Sequence, residues 1–553
     1  MSKKNGSATD GIKLNYKRTF LIGTGFMSCM LLWSVYNSYV PVMLRQKLTE
    51  SLGGDFRGLG FVTIALIVNA IMTIDNVFGV IFLPFFGKRS DRVKAKNWGK
   101  RMPFILICMP ISAVFFCFVP VAAIIKDIAL SILLMMSVVI LFNFTMSIWR
   151  SPVVSLMPDF TPSHLQSDAN AVINIMGGIG QMVGFVVGTI AATVVGLVGF
   201  STLSENLKAK TNTLGQILAL DADGNVLLKW ADGVDKSIYE GTRQFSNFLA
   251  QSKDKLIVDG QTVCEKAVKL GADGQPIYVN YVPVFIVTAL IALICLGILA
   301  IFYKKNRQYD ITATEDAAVE EKPAEKKISI RNLDMDKSKK RSLIIMLLAL
   351  FLLNNATEAI IPNFTNFAND TLQVPPIYST LMMAVFAVSL AAFGIPAGTM
   401  GRKLGRKKTI MIGLLGIVIM FAIYITVSQI LGPSEDGSVN KFTWVCLWVA
   451  LIVGGAAVGC VNINTLPLVL AMGGREHVGT FTGYYYTATQ AASITGPILC
   501  GLVIGLFHDD YNYMFLYCAV MFAIGLVAMI GVKHGESTDI TEEDIKQARM
   551  ADD

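Results

Sequence analysis

Three ionisable side chains lie deep within long apolar stretches of this 553-residue chain: Asp75, Arg150 and Glu358. An unpaired charge at membrane depth costs roughly 2.5–3.5 kcal/mol even on translocon scales, so each needs a partner or a purpose. Asp75 lies twelve residues before Gly87, about 18 Å from it at helical rise. Its helical neighbours Ile71, Met72, Phe78, Gly79 and Phe82 offer nothing polar. A carboxyl so placed is suited to taking up and releasing a proton. The structural alternative is a standing ion pair with Arg150, and a pair that opens when the proton arrives would satisfy both. Arg150 shares a stripe with Asn143 and Ser147, a polar line that should face protein or water. Its guanidinium could bond hydroxyls of a ligand or hold Asp75 ionised. Glu358 follows Asn354 and Asn355, with Asn363 and Asn366 further on, the most polar stretch of any apolar span. It reads equally as a second proton site, a hydroxyl acceptor or a gate residue.

Other polar side chains join this set. Trp33, Tyr36 and Asn37 share one face of the first span, Asn174 and Gln181 a stripe in the fifth. Asn462 and Asn464 mark the tenth span, Tyr486 and Gln490 the eleventh. Aromatic rings and amides together suit sugars, which present apolar C–H faces and many hydroxyls. Singly, each is as well explained as a hydrogen bond between helices. Gly180, Gly184 and Gly188 form a close-packing face, not a phosphate cradle.

The elements that must position these residues are helices in a bilayer. Of the residues, 53% are hydrophobic and 16% charged, with a mean hydropathy of +0.56. That is too little charge to cover a soluble protein of this length. The net charge of +7 resides in short turns between apolar spans, which argues for the positive-inside pattern and against nucleic acid. Twelve spans are expected, near 19–43, 60–86, 103–125, 129–157, 169–198, 281–303, 342–367, 377–400, 409–431, 443–471, 480–507 and 511–533. The chain thus reads as an all-α integral membrane protein, twelve transmembrane helices in two pseudo-symmetric six-helix bundles, both termini cytoplasmic. Its parts are 1–198 (helices one to five), an extracytoplasmic insert 199–280, helix six at 281–303, a cytoplasmic linker 304–341, the second bundle 342–533 and a tail 534–553. Within the insert, Gln216–Trp230 alternates like a β-hairpin around the turn Asp221–Gly224, which lacks the spacing of an EF-hand loop. Nine cysteines and four histidines show no disulfide framework and no metal spacing.

Two basic turns occupy matching places in the two halves. Gly87-Lys-Arg-Ser-Asp91-Arg92 is followed by Gly99-Lys100-Arg101, and the second half carries Gly398 through Arg402 and Arg406. Gly87 and Gly398 stand 311 positions apart, Pro152 and Pro467 stand 315 apart, so a six-helix unit is duplicated. The first turn resembles the loop between helices two and three of the major facilitator superfamily. The second copy matches except that Arg402 stands where the first has Asp91. With Pro84, Trp33 and the segment Pro152–Asp159, the first half resembles the sucrose–proton symporters, neighbours of the glycoside–pentoside–hexuronide:cation symporters. The resemblance implies a fold of two rocking bundles, with Gly87, Asp91, Arg92, Arg101, Asp159, Arg402 and Arg406 at a cytoplasmic gate. Gly79 and Leu83 stand where sodium-coupled relatives carry carboxylates, and Tyr36 where plant sucrose carriers have glutamine. Protons are therefore expected in place of sodium. Helix five also lacks the proline of the antiporter signature.

The expectation is a proton-coupled carrier in the cell membrane, importing a sugar or glycoside through alternating access, without cofactor or metal, as a monomer among lipids. An exporter of amphipathic or drug-like compounds is the first alternative. A non-transporting sensor or scaffold using the 199–280 insert is the second. No catalytic constellation or nucleotide loop supports an enzyme.

Overall fold

Lipid offers no partner for backbone amides, so segments that cross it close their hydrogen bonds internally as helices. The computed structural model describes residues 15–53, 56–58, 62–91, 93, 98–161, 166–250, 254–259, 261–272, 274–310, 335–433, 439–473 and 478–535. Twelve helical spans among them are long and apolar enough to cross a membrane. In the first half these are α1 (Tyr16–Leu52), the pair α2 (Ile64–Met72) and α3 (Ile74–Asp91), α4 (Met102–Ala123), α5 (Ile128–Asp159) and α6 (Gln166–Leu197). The short α7 (Ser201–Lys208) and α8 (Arg243–Ala250) belong to the insert, and α9 (Val282–Asn306) completes this half. The second half has α10 (Lys337–Thr371), α11 (Pro376–Leu404), α12 (Arg406–Leu431), α13 (Lys441–Gly473), α14 (Val478–Leu506) and α15 (Tyr513–Ile530). The chain is a multi-pass membrane protein.

Each half has its own core. Tyr36, Phe116, Phe142, Trp149 and Phe285 are fully buried in the first, and Phe364, Phe367, Phe421 and Phe515 anchor the second. Ala65 and Phe185 from the first half are buried in the second cluster, and Ile377 of the second half in the first. These residues mark the seam. Only Gly405 separates α11 from α12, and its φ of +96° supplies the left-handed turn that a residue with a Cβ adopts at a cost.

The glycine stripe of α6 packs on α1. A Cβ at Gly180 would run into the Met27 backbone carbonyl, which cannot swing aside. Gly180→Ala is therefore expected to destabilise the chain by about 1–3 kcal/mol through overpacking, read as a lowered unfolding temperature in detergent.

The second span departs from expectation. A continuous helix from 60 to 86 was predicted; the observed span starts at Ile64 and is broken at Thr73. The Thr73 hydroxyl donates to Ala70 O (2.7 Å) and the Thr73 backbone N–H donates there too (3.3 Å), so a β-branched hydroxyl tightens the turn where no proline exists. Asp75 falls in the first turn of α3 as a result.

The insert adds a small sheet of β1 (Leu228–Trp230), β2 (Lys255–Val258) and β3 (Gln261–Lys266), in order β1-β3-β2 and antiparallel throughout. The turn at Asp221–Gly224 forms, its Asp221 carboxylate accepting from the N–H groups of Asp223 and Asn225. Its arms pair across the turn as expected, with a bridge between Leu220 and Val226 and the Leu227 N–H donating to Ala219 O at 2.9 Å, and the outgoing arm then continues as β1 beside β3. Lys266 is 5% exposed and donates to Leu249 O at 3.1 Å. Burial of its ammonium lowers Lys266 to about 8 from 10.5, with Asp254 opposing the shift. Between those values the unfolded insert binds more protons than the folded one, so stability should rise with pH across this window. Protease susceptibility of the insert in urea should fall between about pH 8 and about pH 10.5, and Lys266→Met should remove that dependence.

Candidate functional site

The break in the second span sets the site. Asp75 is 8% exposed, and its Oδ1 accepts the N–H of the adjacent Asn76 at 2.6 Å. Its Oδ2 accepts the indole N–H of Trp33 from α1 at 2.8 Å. The guanidinium of Arg150, on α5, sits over the face of the same indole, its Cζ 3.8 Å from the centroid. Trp33 thus stands between acid and base, and Asp75 and Arg150 form no ion pair. The expected direct pairing is replaced by a ring that presents its edge to one and its face to the other.

Glu358 enters from the other half, on α10. It is half-buried, has no hydrogen bond among the described residues, and interacts electrostatically with both Arg150 and Asp75. Three charges predicted separately therefore share one region between the bundles.

The amides divide. Tyr36 is fully buried, accepting from Asn143 Nδ2 at 3.0 Å against Phe142, so this pair is committed to bundle packing. Asn355 donates to Thr495 at 2.7 Å and accepts from Tyr517, tying α10 to α14 and α15. Asn464 donates to Ala397 O at 3.2 Å and joins α13 to α11. Gln490 reaches Asn76 at 3.4 Å. Asn37, Gln181 and Asn354 are half-buried, whereas Asn174, Asn462 and Tyr486 are exposed. Asn37 lies one turn from Trp33, and Asn354 one turn from Glu358, on the faces that carry the charges.

A chain of contacts across the seam went unread in the sequence. Asn76 donates to Ser493 O (3.2 Å), Asn69 and Asn363 exchange hydrogen bonds (2.9 and 2.8 Å), Tyr39 meets Thr380 (3.4 Å), and Arg45 pairs with Asp370 (2.7 Å). Thr211 of the insert donates to Asn369 at 3.2 Å beside that pair. Between described residues, the polar contacts joining the bundles lie at mid-depth or on the insert side. The spacing of Asn69 and Asn76, seven apart within one apolar span, was the available signal.

At the opposite end, Arg101 Nε bonds Asp159 Oδ2 at 3.0 Å and Nη1 reaches Ser90 and the Gly87 carbonyl. This brace links α3, α4 and α5 within the first bundle. Arg406 repeats the device by donating to Pro467 O at 3.0 Å. Arg92 and the side chains of Asp91 and Arg402 lie outside the described residues, as do His164, His477, 311–334 of the linker and 536–553 of the tail.

Two helical bundles with a charged, aromatic-lined region at their seam define a polytopic carrier. The chain matches the family model of the Major Facilitator Superfamily over residues 3–196 and 346–548, and belongs to that superfamily. Membership of that superfamily points to transport across a membrane rather than to an enzyme. It is 26% identical over 210 residues to Autophagy-related protein 22 of Vanderwaltozyma polyspora (35% of this chain, 37% of that one). It is 22% identical over 203 residues to the uncharacterised MFS-type transporter YxiO of Bacillus subtilis (37% of this chain, 44% of that one). The chain thus spans less than half the length of these curated relatives. A solved bacterial homologue of the iron transporter ferroportin, in its inward-facing state, superposes with a TM-score of 0.55 at 10% identity, covering 94% of this chain and 99% of that one. At such identity the likeness concerns the fold alone.

Proposed function

We propose that this transporter is a proton-coupled symporter importing a sugar or glycoside across the cell membrane, as a monomer with both termini cytoplasmic. The observation that carries the reading is Asp75, a buried carboxyl at the seam of the bundles with no ion pair among the described residues. Proton and solute load from outside. A neutral Asp75 then lowers the cost of closing apolar walls around the site, and the bundles rock about the midplane. With the termini inside, the polar contacts on the insert side seal the outer mouth, making this the inward-facing state. Arg150 and Glu358 supply the charged poles of the cavity. Trp33 borders it, and Asn37, Gln181, Asn354, Asn174, Asn462 and Tyr486 are the side chains proposed to meet hydroxyls. The braces at Arg101–Asp159 and Arg406–Pro467 O stiffen each bundle at the cytoplasmic end, so each moves as a unit.

A second reading has its own observation. Phe78, Phe82, Phe86 and Phe144 make a wall of rings between α3 and α5, mostly packed edge to face, running from Asp75 toward the basic turn. Such a wall suits an amphipathic solute exported on the same fold. Counterflow uptake by the reconstituted chain, against a panel of sugars and amphipathic cations at two pH values with and without sodium, separates the two. Sugar-dependent alkalinisation outside vesicles supports the first reading. Uptake that ignores the proton gradient rejects it.

A further inference from the structure

Resting on the reading of Asp75 as the proton site, we propose that Trp33 is a positioning residue that keeps Arg150 from pairing with Asp75. The indole is used twice: its N–H, in the ring plane, donates to Oδ2 at 2.8 Å, while one face carries the Arg150 guanidinium at 3.8 Å. A guanidinium free to approach a carboxylate forms a bidentate pair, and that pair resists protonation. A carboxyl in such a pair loses a proton roughly 1–3 pH units lower than a free one. It would be discharged only in acid that a carrier seldom meets. By occupying the guanidinium with its face, Trp33 leaves the acid with neutral donors, its own N–H and that of Asn76, in place of a cation. The other groups facing Asp75 fit this role. Glu358 of α10 is an acid, Tyr36 of α1 is tied to Asn143, and Asn76, Gln490 and Ser493 are neutral. Cys29, one turn before Trp33, faces Arg150 and is buried. Arg150 is thus the one cation among the described groups interacting with the acid.

The role separates the two functions of the ring by substitution. Trp33→Phe keeps a face for Arg150 and removes the N–H, so the carboxylate loses a donor and its protonation midpoint moves up. Trp33→Leu removes the face, Arg150 reaches Asp75, and the midpoint moves down. The test is infrared titration of the full chain in lipid nanodiscs, following the carboxylic C=O band that Asp75→Asn abolishes, from roughly pH 4 to pH 9. Trp33→Phe should raise the midpoint by about half a unit or more and Trp33→Leu lower it by about one unit or more. The double variant Trp33→Leu/Arg150→Met should return the midpoint to the Trp33→Phe value or above. Trp33→Met carries the same expectation as Trp33→Leu should the latter fail to fold. A wild-type band that titrates, with Trp33→Leu or Trp33→Met unmoved or raised, overturns the positioning role alone. Wild-type spectra that match Asp75→Asn throughout overturn the proton-site reading and this role with it.

Discussion

Asp75→Asn carrier, reconstituted into vesicles, exchanges labelled solute within a few-fold of the wild-type rate yet no longer concentrates it when an inward proton gradient is imposed. For one proton per solute, a gradient of one pH unit supports about tenfold accumulation, since about 1.4 kcal/mol corresponds to a factor of ten. The variant should level at about onefold, and its exchange should lose the pH dependence that the carboxyl confers. The reason is structural. Asn keeps an oxygen for the Trp33 N–H, so the 2.8 Å contact and the seating of Arg150 survive, while the charge that makes reorientation costly is permanently absent. Accumulation that persists in Asp75→Asn would move the coupling site elsewhere, with Glu358, lacking a hydrogen bond among the described residues, the first place to look.

What the sequence made legible follows from which forces act locally. A bilayer demands twelve runs of apolar residues, and these can be counted without knowing any contact. Charges inside those runs are conspicuous for the same reason, so Asp75, Arg150 and Glu358 could be named. Their arrangement could not. Trp33 is 42 residues from Asp75 and meets it through the orientation of a ring, which no spacing records. Tyr36 and Asn143 looked like ligand contacts because each is polar in an apolar helix. They satisfy each other across 107 residues, the cheaper solution for two buried polar groups. The break at Thr73 was hidden because neither proline nor glycine marks it, and threonine is common in continuous membrane helices. The role of Arg45 was hidden for a similar reason, its partner lying 325 residues away.

That partner gives the second large expectation. Arg45 and Asp370 join the insert-side ends of α1 and α10 at 2.7 Å, with side chains 11% and 16% exposed, and Tyr511 lies under the guanidinium at 4.9 Å. The two helices belong to different bundles, so any motion that opens the seam on this side must separate the pair. Removing one member of a largely buried pair costs about 3–5 kcal/mol because the survivor is left in a poor solvent. In this carrier the cost falls mainly on the closed arrangement, since an opened mouth returns the remaining charge to water. Arg45→Ala should therefore shift the population toward the insert-side-open state, each 1.4 kcal/mol of differential cost counting about tenfold. Spin labels at Leu52 and Leu506, exposed at the insert-side ends of α1 and α14, should report it as a new longer distance. The exchanged pair Arg45→Asp/Asp370→Arg should recover much of the closed population, because attraction between the bundles is restored whichever helix carries the cation. If Arg45→Ala leaves the distances unchanged, the seal rests instead on the close approach of α14 to α2. There a Cβ at Gly501 would crowd the Ala65 carbonyl and Asn69, and Gly501→Val should then force the mouth apart where loss of the ion pair did not.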